Sequence, residues 1–150
     1  MPQAVILIGV QATGKSTFYK ERFADTHVRI NLDMLKTRTR EKIILEACLQ
    51  AGQSFVVDNT NPMVADRQRY IPLARTVHFE VIGYYFQSGL SALLKRNQMR
   101  TDKAAIPTAG VQAAYRKLQI PSLAEGFDKL YYVKIDPSGS FVVEEWKDEI

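Results

Sequence analysis

The stretch "VILIGVQATGKST", residues 5–17, is an apolar run that breaks at Gly9 and closes on Gly14, Lys15 and Ser16. Its spacing matches G-x-x-x-x-G-K-[ST], between a predicted strand and a predicted helix as that motif requires. Glycines let the backbone wrap around a phosphate, while loop amides and the helix N-terminus attract the anion. The stretch therefore predicts a nucleotide-binding loop made of Gly9, Gln11, Ala12, Thr13, Gly14, Lys15, Ser16 and Thr17.

Two side chains of this loop have predicted roles in chemistry. Lys15 is placed to bridge the β- and γ-phosphates of a nucleoside triphosphate, and Ser16 to ligate Mg²⁺. A loop of this kind indicates nucleotide binding but does not indicate what happens to the phosphate. The acceptor must be inferred from other parts of the chain.

The rest of the chain alternates between short β-rich runs and stretches with helical spacing. This alternation predicts an α/β fold of the P-loop NTPase type, with a parallel sheet of about five strands, helices on both faces and a small lid. The turn signal "DPSGS" before "FVVEEW" predicts an additional short hairpin at the sheet edge. The predicted strands are "AVILIG", "HVRIN", "SFVVDNT", "VHFEVIGYYF" and "KLYYVKI".

Size and composition favour one globular domain over residues 1–150, since 46% of the residues are hydrophobic. The longest apolar run, "AVILIGV", is far shorter than the ~20 residues of a membrane span, so we expect a cytoplasmic protein. The net charge of +4 favours anionic partners. The only cysteine, Cys48, is expected to be a buried thiol on a helical face that also carries Ile43, Ile44, Ala47 and Ala51.

Two aspartates follow predicted strands and therefore belong at the same sheet edge as the loop. Asp33 is placed to deprotonate a hydroxyl that attacks the γ-phosphorus, or else to cap the following helix. Asp58 is placed to hold Mg²⁺ through water beside Ser16 or to orient the acceptor, or else to satisfy loop amides. Position alone leaves these alternatives open.

Arg96 and Arg100 in "KRNQMR" are four residues apart, so on a helix both guanidinium groups project from one side. Such a pair would suit a lid that neutralises charge on the transferred phosphoryl group. A solvated helix face would have the same spacing.

A set of segments resembles the kinase domain of polynucleotide 5′-hydroxyl kinases, over about residues 4–135. The "DNTNP" and "PSLAEGF" segments are more specific to that family than the phosphate-binding loop. The matching segments, in order, are "GVQATGKST", "NLD", "VVDNTNP" with "RQRY", "KRNQMRTDKAAIP" and "YRKLQIPSLAEGF".

The resemblance implies ATP and Mg²⁺ as cofactors and a nucleic acid with a 5′-hydroxyl end as substrate. It implies that Asp33 is the general base, with Lys15, Arg96 and Arg100 also catalytic and Ser16 and Asp58 at the metal. It further implies a substrate-binding set made of Asp33, Lys36, Asp58, Asn59, Asn61 and Arg69. The chain departs from the family at Leu32, often arginine there, and at Lys36, an arginine in the phage enzyme.

Three hypotheses for function follow. In the first, an ATP-dependent kinase phosphorylates 5′-hydroxyl ends of DNA or RNA, as in nucleic-acid repair, without an attached phosphatase domain. In the second, the acceptor is a nucleoside, a sugar or another small alcohol, which Leu32 favours and the basic charge disfavours. In the third, the protein is a nucleotide-dependent switch with no acceptor, but a switch would need no general base at Asp33.

Overall fold

The computed structural model describes residues 1–10, 13–86 and 116–147. Within them the chain forms a six-stranded sheet in the order β2-β3-β1-β4-β5-β6, in which β6 alone is antiparallel to its neighbour. The predicted α/β fold with a parallel sheet and an edge hairpin is therefore confirmed. The strands are β1 Gln3–Ile8, β2 Val28–Ile30, β3 Phe55–Val57, β4 Glu80–Phe86, β5 Lys129–Ile135 and β6 Phe141–Glu145.

Helices connect β1 to β2, β2 to β3 and β3 to β4, as parallel pairing of these strands requires. None of the helices within the described part of the chain has both the length and the apolar character needed to cross a bilayer. The predicted lid, with Arg96 and Arg100, lies outside the described residues. The helices are α1 Lys15–Arg22, α2 Leu32–Leu35, α3 Arg38–Ala51, α4 Val64–Arg67 and α5 Ile71–Thr76, followed by a 3₁₀ turn at Leu123–Glu125.

The core has two halves because both faces of the sheet are covered. On one face, Phe18 of α1 packs with Val5 and Leu7 of β1. On the other, Cys48 of α3 and Ala74 of α5 belong to a cluster with the alternate residues of β1. The central strand β1 is thus buried on both sides, which explains why its sequence is continuously apolar.

The buried face of α3 differs from the one predicted. Cys48 is buried as expected, but Ile43 is 61% exposed and Ala47 is also exposed. The inward stripe instead contains Glu41, Leu45 and Cys48. The predicted stripe was chosen by apolar character, and it missed Glu41 because a buried carboxylate needs polar partners elsewhere in the chain.

The C-terminal hairpin packs back onto the sheet through aromatic residues. Trp146 stacks on Tyr132 with ring centroids 4.4 Å apart, and it also contacts Tyr85. Phe141 of β6 packs edge-on against Phe18. The hairpin therefore supports the start of α1, directly after the predicted phosphate-binding loop.

Candidate functional site

Gly14 ends the loop and immediately precedes α1. Its φ of 90° lies in the left-handed region that favours glycine. A Cβ at this position would also lie 3.1 Å from the Phe141 ring. The backbone conformation therefore favours glycine where the loop turns into the helix, and any side chain there would also crowd the Phe141 ring. Gln11 and Ala12, two further predicted members of the loop, lie outside the described residues.

Lys15 is folded over its own loop and is buried. Its Nζ donates hydrogen bonds to the Val10 carbonyl oxygen at 2.8 Å and to Thr13 Oγ1 at 3.4 Å. Thr13 Oγ1 in turn donates to the same carbonyl at 2.9 Å. The ammonium group is thereby held at the centre of the loop, where phosphate oxygens can replace the carbonyl as acceptors.

Ser16 and Asp58 meet at the carboxyl ends of β1 and β3. Ser16 Oγ donates to Asp58 Oδ2 at 3.0 Å, although the two residues are 42 positions apart. Arg29 of β2 joins them, since its Nε and Nη2 both lie 2.8 Å from Asp58 Oδ2 and its Nη2 donates to Ser16 Oγ at 3.0 Å. The structure thus brings together the two predicted metal ligands and adds an arginine that the sequence did not indicate.

The donor set at this junction fits Mg²⁺. A hydroxyl and a carboxylate supply hard oxygen atoms, and Mg²⁺ commonly takes few protein ligands and completes its shell with water and phosphate. Among the described residues there is no cluster of three or more His, Cys, Asp or Glu side chains that would form a dedicated cage. Ser16 and Asp58 are the residues that would hold the ion beside a bound nucleotide.

Asp33 is exposed and occupies the first turn of α2. The cap of this helix is Asn31, whose Oδ1 accepts a hydrogen bond from the Met34 amide at 3.0 Å. The capping alternative for Asp33 is therefore wrong. Within the described part of the chain, no hydrogen bond or ion pair engages the Asp33 carboxylate, so it is available to a ligand from solvent.

Asn59 and Asn61, predicted to bind substrate, use their side chains within the protein. Asn59 Oδ1 accepts from the Leu32 amide at 2.9 Å and so holds the start of α2. Asn61 Nδ2 donates to the Leu7 carbonyl at 2.8 Å, with the residue at a φ of 45°. Both asparagines therefore fix the backbone that carries Asp33 and Asp58.

A buried polar cluster lies beneath α2. Glu41, on α3, accepts hydrogen bonds from Arg38 Nη1 at 2.8 Å, Asn59 Nδ2 at 3.1 Å and the Tyr70 hydroxyl at 3.2 Å. Burial, and next the charge of Glu41, raise the pKa of Tyr70. The cluster connects α3 to Asn59 and through it to the helix that bears Asp33.

The other predicted substrate-binding residues lie on the surface. Lys36 follows α2 with a φ of 74°, and Arg69 lies in the exposed turn between α4 and α5. Among the described residues, no side-chain contact joins either of them to the phosphate-binding loop. Thr17 is exposed in the first turn of α1.

Sequence reasoning missed Arg29, Glu41 and Arg67. The only local signal for Arg29 is a charged residue within a three-residue strand, between Val28 and Ile30. Arg67 stood inside the "RQRY" segment, yet nothing in its neighbours indicates that it is fully buried. The structural role of each of the three depends on a partner that is distant in sequence: Asp58 for Arg29, Tyr70 for Glu41 and Glu125 for Arg67.

The sequence of this chain is similar to a known protein family and to polynucleotide kinases. The family model described as an AAA domain matches residues 5–121. A bifunctional polynucleotide phosphatase/kinase from Schizosaccharomyces pombe is 28% identical over 130 residues, covering 83% of this chain and 32% of that protein. A putative bifunctional polynucleotide phosphatase/kinase from Acanthamoeba polyphaga mimivirus is 31% identical over 135 residues, covering 85% and 32%. The resemblance to polynucleotide kinases is therefore confirmed, and the chain matches about a third of the length of these relatives.

Among solved structures, a gluconokinase from Sinorhizobium meliloti 1021 superimposes with a TM-score of 0.62 at 18% identity. The match covers 89% of this chain and 82% of the gluconokinase. At this identity the similarity shows a shared fold, in agreement with the predicted fold class.

Proposed function

This chain belongs to the family described as an AAA domain, and from that premise we propose that it is an ATP-dependent kinase that phosphorylates 5′-hydroxyl ends of DNA or RNA. The observation that carries the proposal is the Asp33 carboxylate. It is exposed next to the sheet edge that bears the phosphate-binding loop, and Asn31 rather than Asp33 caps α2. Because this carboxylate is exposed and has no structural partner among the described residues, it can accept a proton from a bound hydroxyl, which supports the role of general base.

The donor half of the reaction uses the loop. Lys15 and the loop amides would bind the β- and γ-phosphates of ATP, and Ser16 and Asp58 would hold Mg²⁺, which would neutralise phosphate charge. Asp33 accepts the proton of the attacking hydroxyl, whose oxygen forms a bond to the γ-phosphorus while the bond to the β-phosphate oxygen breaks. Arg96 and Arg100 are assigned to the charge of the transferred group.

The acceptor half of the proposal rests on the two relatives named as polynucleotide phosphatase/kinases. Lys36 and Arg69 are exposed cations that would pair with phosphates of the strand. Asn59 and Asn61 would orient the acceptor indirectly, by fixing the backbone that carries Asp33 and Asp58. We place this activity in the cytoplasm.

A second candidate function is the phosphorylation of a small alcohol such as a sugar. Leu32 favours it, because an apolar side chain directly before Asp33 cannot pair with the phosphates of a nucleic-acid strand, as a cation at that position would. The fold shared with a gluconokinase is compatible with it. The two candidates share the donor half and differ only in the acceptor.

The test is a transfer assay with γ-labelled ATP and Mg²⁺, in which acceptors are 5′-hydroxyl DNA and RNA oligonucleotides, nucleosides and sugars. We expect label on the oligonucleotides, and none on oligonucleotides that already carry a 5′-phosphate. Label on a nucleoside or sugar alone would establish the second candidate. ATP binding without transfer to any acceptor would contradict both and leave a nucleotide-dependent switch.

A further inference from the structure

Arg29 binds the two atoms that would hold the magnesium ion. Its Nη2 lies 2.8 Å from Asp58 Oδ2 and 3.0 Å from Ser16 Oγ, and its Nε also donates to Asp58 Oδ2 at 2.8 Å. The guanidinium therefore bridges the Ser16 hydroxyl and the Asp58 carboxylate. The side chain reaches this position from β2, the edge strand next to β3.

The exposures of the two partners differ sharply. The Asp58 side chain is 2% exposed, and a carboxylate buried this far needs a counter-charge. The Arg29 side chain is 26% exposed, and its guanidinium carbon lies 5.9 Å from the centroid of the Tyr19 ring. The carboxylate is thus fixed inside the protein, whereas the cation has a route to solvent.

A guanidinium and a Mg²⁺ ion cannot share these atoms. Mg²⁺ takes oxygen ligands, directly or through an ordered water, and the oxygen atoms Asp58 Oδ2 and Ser16 Oγ are here engaged by the Arg29 nitrogens. Two cations this close would also repel each other strongly. The guanidinium and the metal ion therefore compete for the single negative charge of Asp58.

We propose that Arg29 is an internal counter-cation, which pairs with Asp58 and Ser16 in the nucleotide-free protein and is displaced when Mg²⁺ enters with the nucleotide. The inference rests on the nucleotide-binding part of the proposed function. The protein must break the arginine contacts before it can bind the metal. Its apparent affinity for Mg²⁺ is therefore the intrinsic affinity multiplied by the fraction of molecules in which Asp58 is already released.

The test measures Mg²⁺ through its effect on ADP binding, so no transfer reaction is needed. ADP dissociation constants are determined by calorimetry over a series of Mg²⁺ concentrations for the wild type and for Arg29→Met. Methionine keeps a long side chain in contact with Tyr19 but removes the charge. We expect the Mg²⁺ concentration that gives half of the ADP-affinity gain to fall about threefold or more.

The matched control is Arg75→Met. Arg75 also pairs with an aspartate, Asp128, at 3.4 Å. Asp128 directly precedes β5 and therefore lies at the amino ends of the parallel strands, opposite the carboxyl ends that bear the phosphate-binding loop. The half-saturating Mg²⁺ concentration of the Arg75→Met variant should stay within about twofold of the wild type. Thermal melts without Mg²⁺ should show a lower Tm for Arg29→Met, and added Mg²⁺ with ADP should restore more of it than in the control.

An unchanged or higher half-saturating concentration in Arg29→Met would overturn the inference, because Arg29 would then assist the metal or leave it unaffected. If that variant does not fold, Arg29→Gln is used, which also removes the charge but keeps a polar end that can donate to Asp58. A value for the glutamine variant equal to or above the wild type would be equally decisive against the inference. ADP binding without any Mg²⁺ effect refutes the inference alone, whereas no ADP binding refutes the proposed function as well.

Discussion

Arg67 and Glu125, which are 58 residues apart, form a bidentate ion pair that is almost entirely buried. Arg67 Nε donates to Glu125 Oε1 at 2.7 Å and Nη2 to Oε2 at 3.1 Å, while Nη1 donates to the Asn61 carbonyl at 3.0 Å. The pair therefore joins the segment after β3, which carries Asp58, to the 3₁₀ turn before β5. Through the Asn61 carbonyl, it connects the "DNTNP" segment to the "PSLAEGF" segment.

We expect Glu125→Gln to destabilise the fold by about 3–5 kcal/mol, because it leaves the buried Arg67 without its counter-charge. Urea unfolding at neutral pH measures the change. The control is Glu46→Gln, which removes an exposed ion pair with Lys42 at 3.9 Å and should change stability by no more than about 0.5 kcal/mol. Equal effects of the two substitutions would mean that the buried pair contributes no more than a surface pair.

The Asp33→Asn variant should lose phosphoryl transfer by about 10²- to 10⁴-fold while it keeps its fold and its affinity for ATP. The amide cannot accept the proton, but it disturbs no described contact, since Asn31 caps α2. Single-turnover transfer to a 5′-hydroxyl oligonucleotide measures the loss, with Asp25→Asn on the exposed surface as the control. A loss below about tenfold with intact folding would exclude the base role.

Asn31→Ala, in contrast to Asp33→Asn, should lower the stability of the fold. It removes both the cap of α2 and a hydrogen bond from Asn31 Nδ2 to the Asp58 carbonyl, so we expect a loss of about 1–3 kcal/mol. Chemical denaturation measures it. A loss in Asp33→Asn as large as in Asn31→Ala would contradict the assignment of the cap to Asn31.

Lys15→Ala should lower transfer by about 100-fold or more and weaken ATP binding, because the β- and γ-phosphates lose their point charge. ATP titration and the transfer assay together measure the two effects. Lys20→Ala, in the last turn of the same helix, is the control for the loss of a lysine. Turnover near that of the wild type in Lys15→Ala would refute the assignment of the loop.

Cys48 should react slowly with alkylating reagents in the folded protein. Burial raises the pKa of its thiol, so at a given pH less of it is thiolate, and its rate profile is displaced to higher pH. We expect labelling at pH 8 to be at least about tenfold slower than in denaturant. Labelling at the same rate in both conditions would show that α3 does not shield the thiol.

The sequence was sufficient for those features that depend on short-range patterns. The phosphate-binding loop, the alternation of strands and helices and the edge hairpin all have local signals, and the structure agrees with them. Asp33 and Asp58 were expected at one sheet edge because they follow strands that were predicted to be parallel. The contact of Ser16 with Asp58 fits that expectation.

Features that rely on distant partners could not be predicted in this way. Arg29 and Arg67 look like ordinary surface cations until folding brings Asp58 and Glu125 beside them. Glu41 is buried on the inward face of α3, which was predicted to be apolar. Its carboxylate can be buried there because Tyr70 and Asn59, from other segments, donate hydrogen bonds to it. A periodicity count treats each of these residues as polar and exposed.

The central position of β1 also constrains the order of events during synthesis. Ala4 pairs with Phe55 of β3 on one side and with Val81 of β4 on the other. Because β1 precedes both of these strands in the chain, it cannot pair on either side until they have been synthesised. Such non-local pairing slows folding and leaves apolar strands uncovered in the interim. A nascent chain that ends before β4 therefore carries the complete phosphate-binding loop sequence on a strand with one edge unpaired.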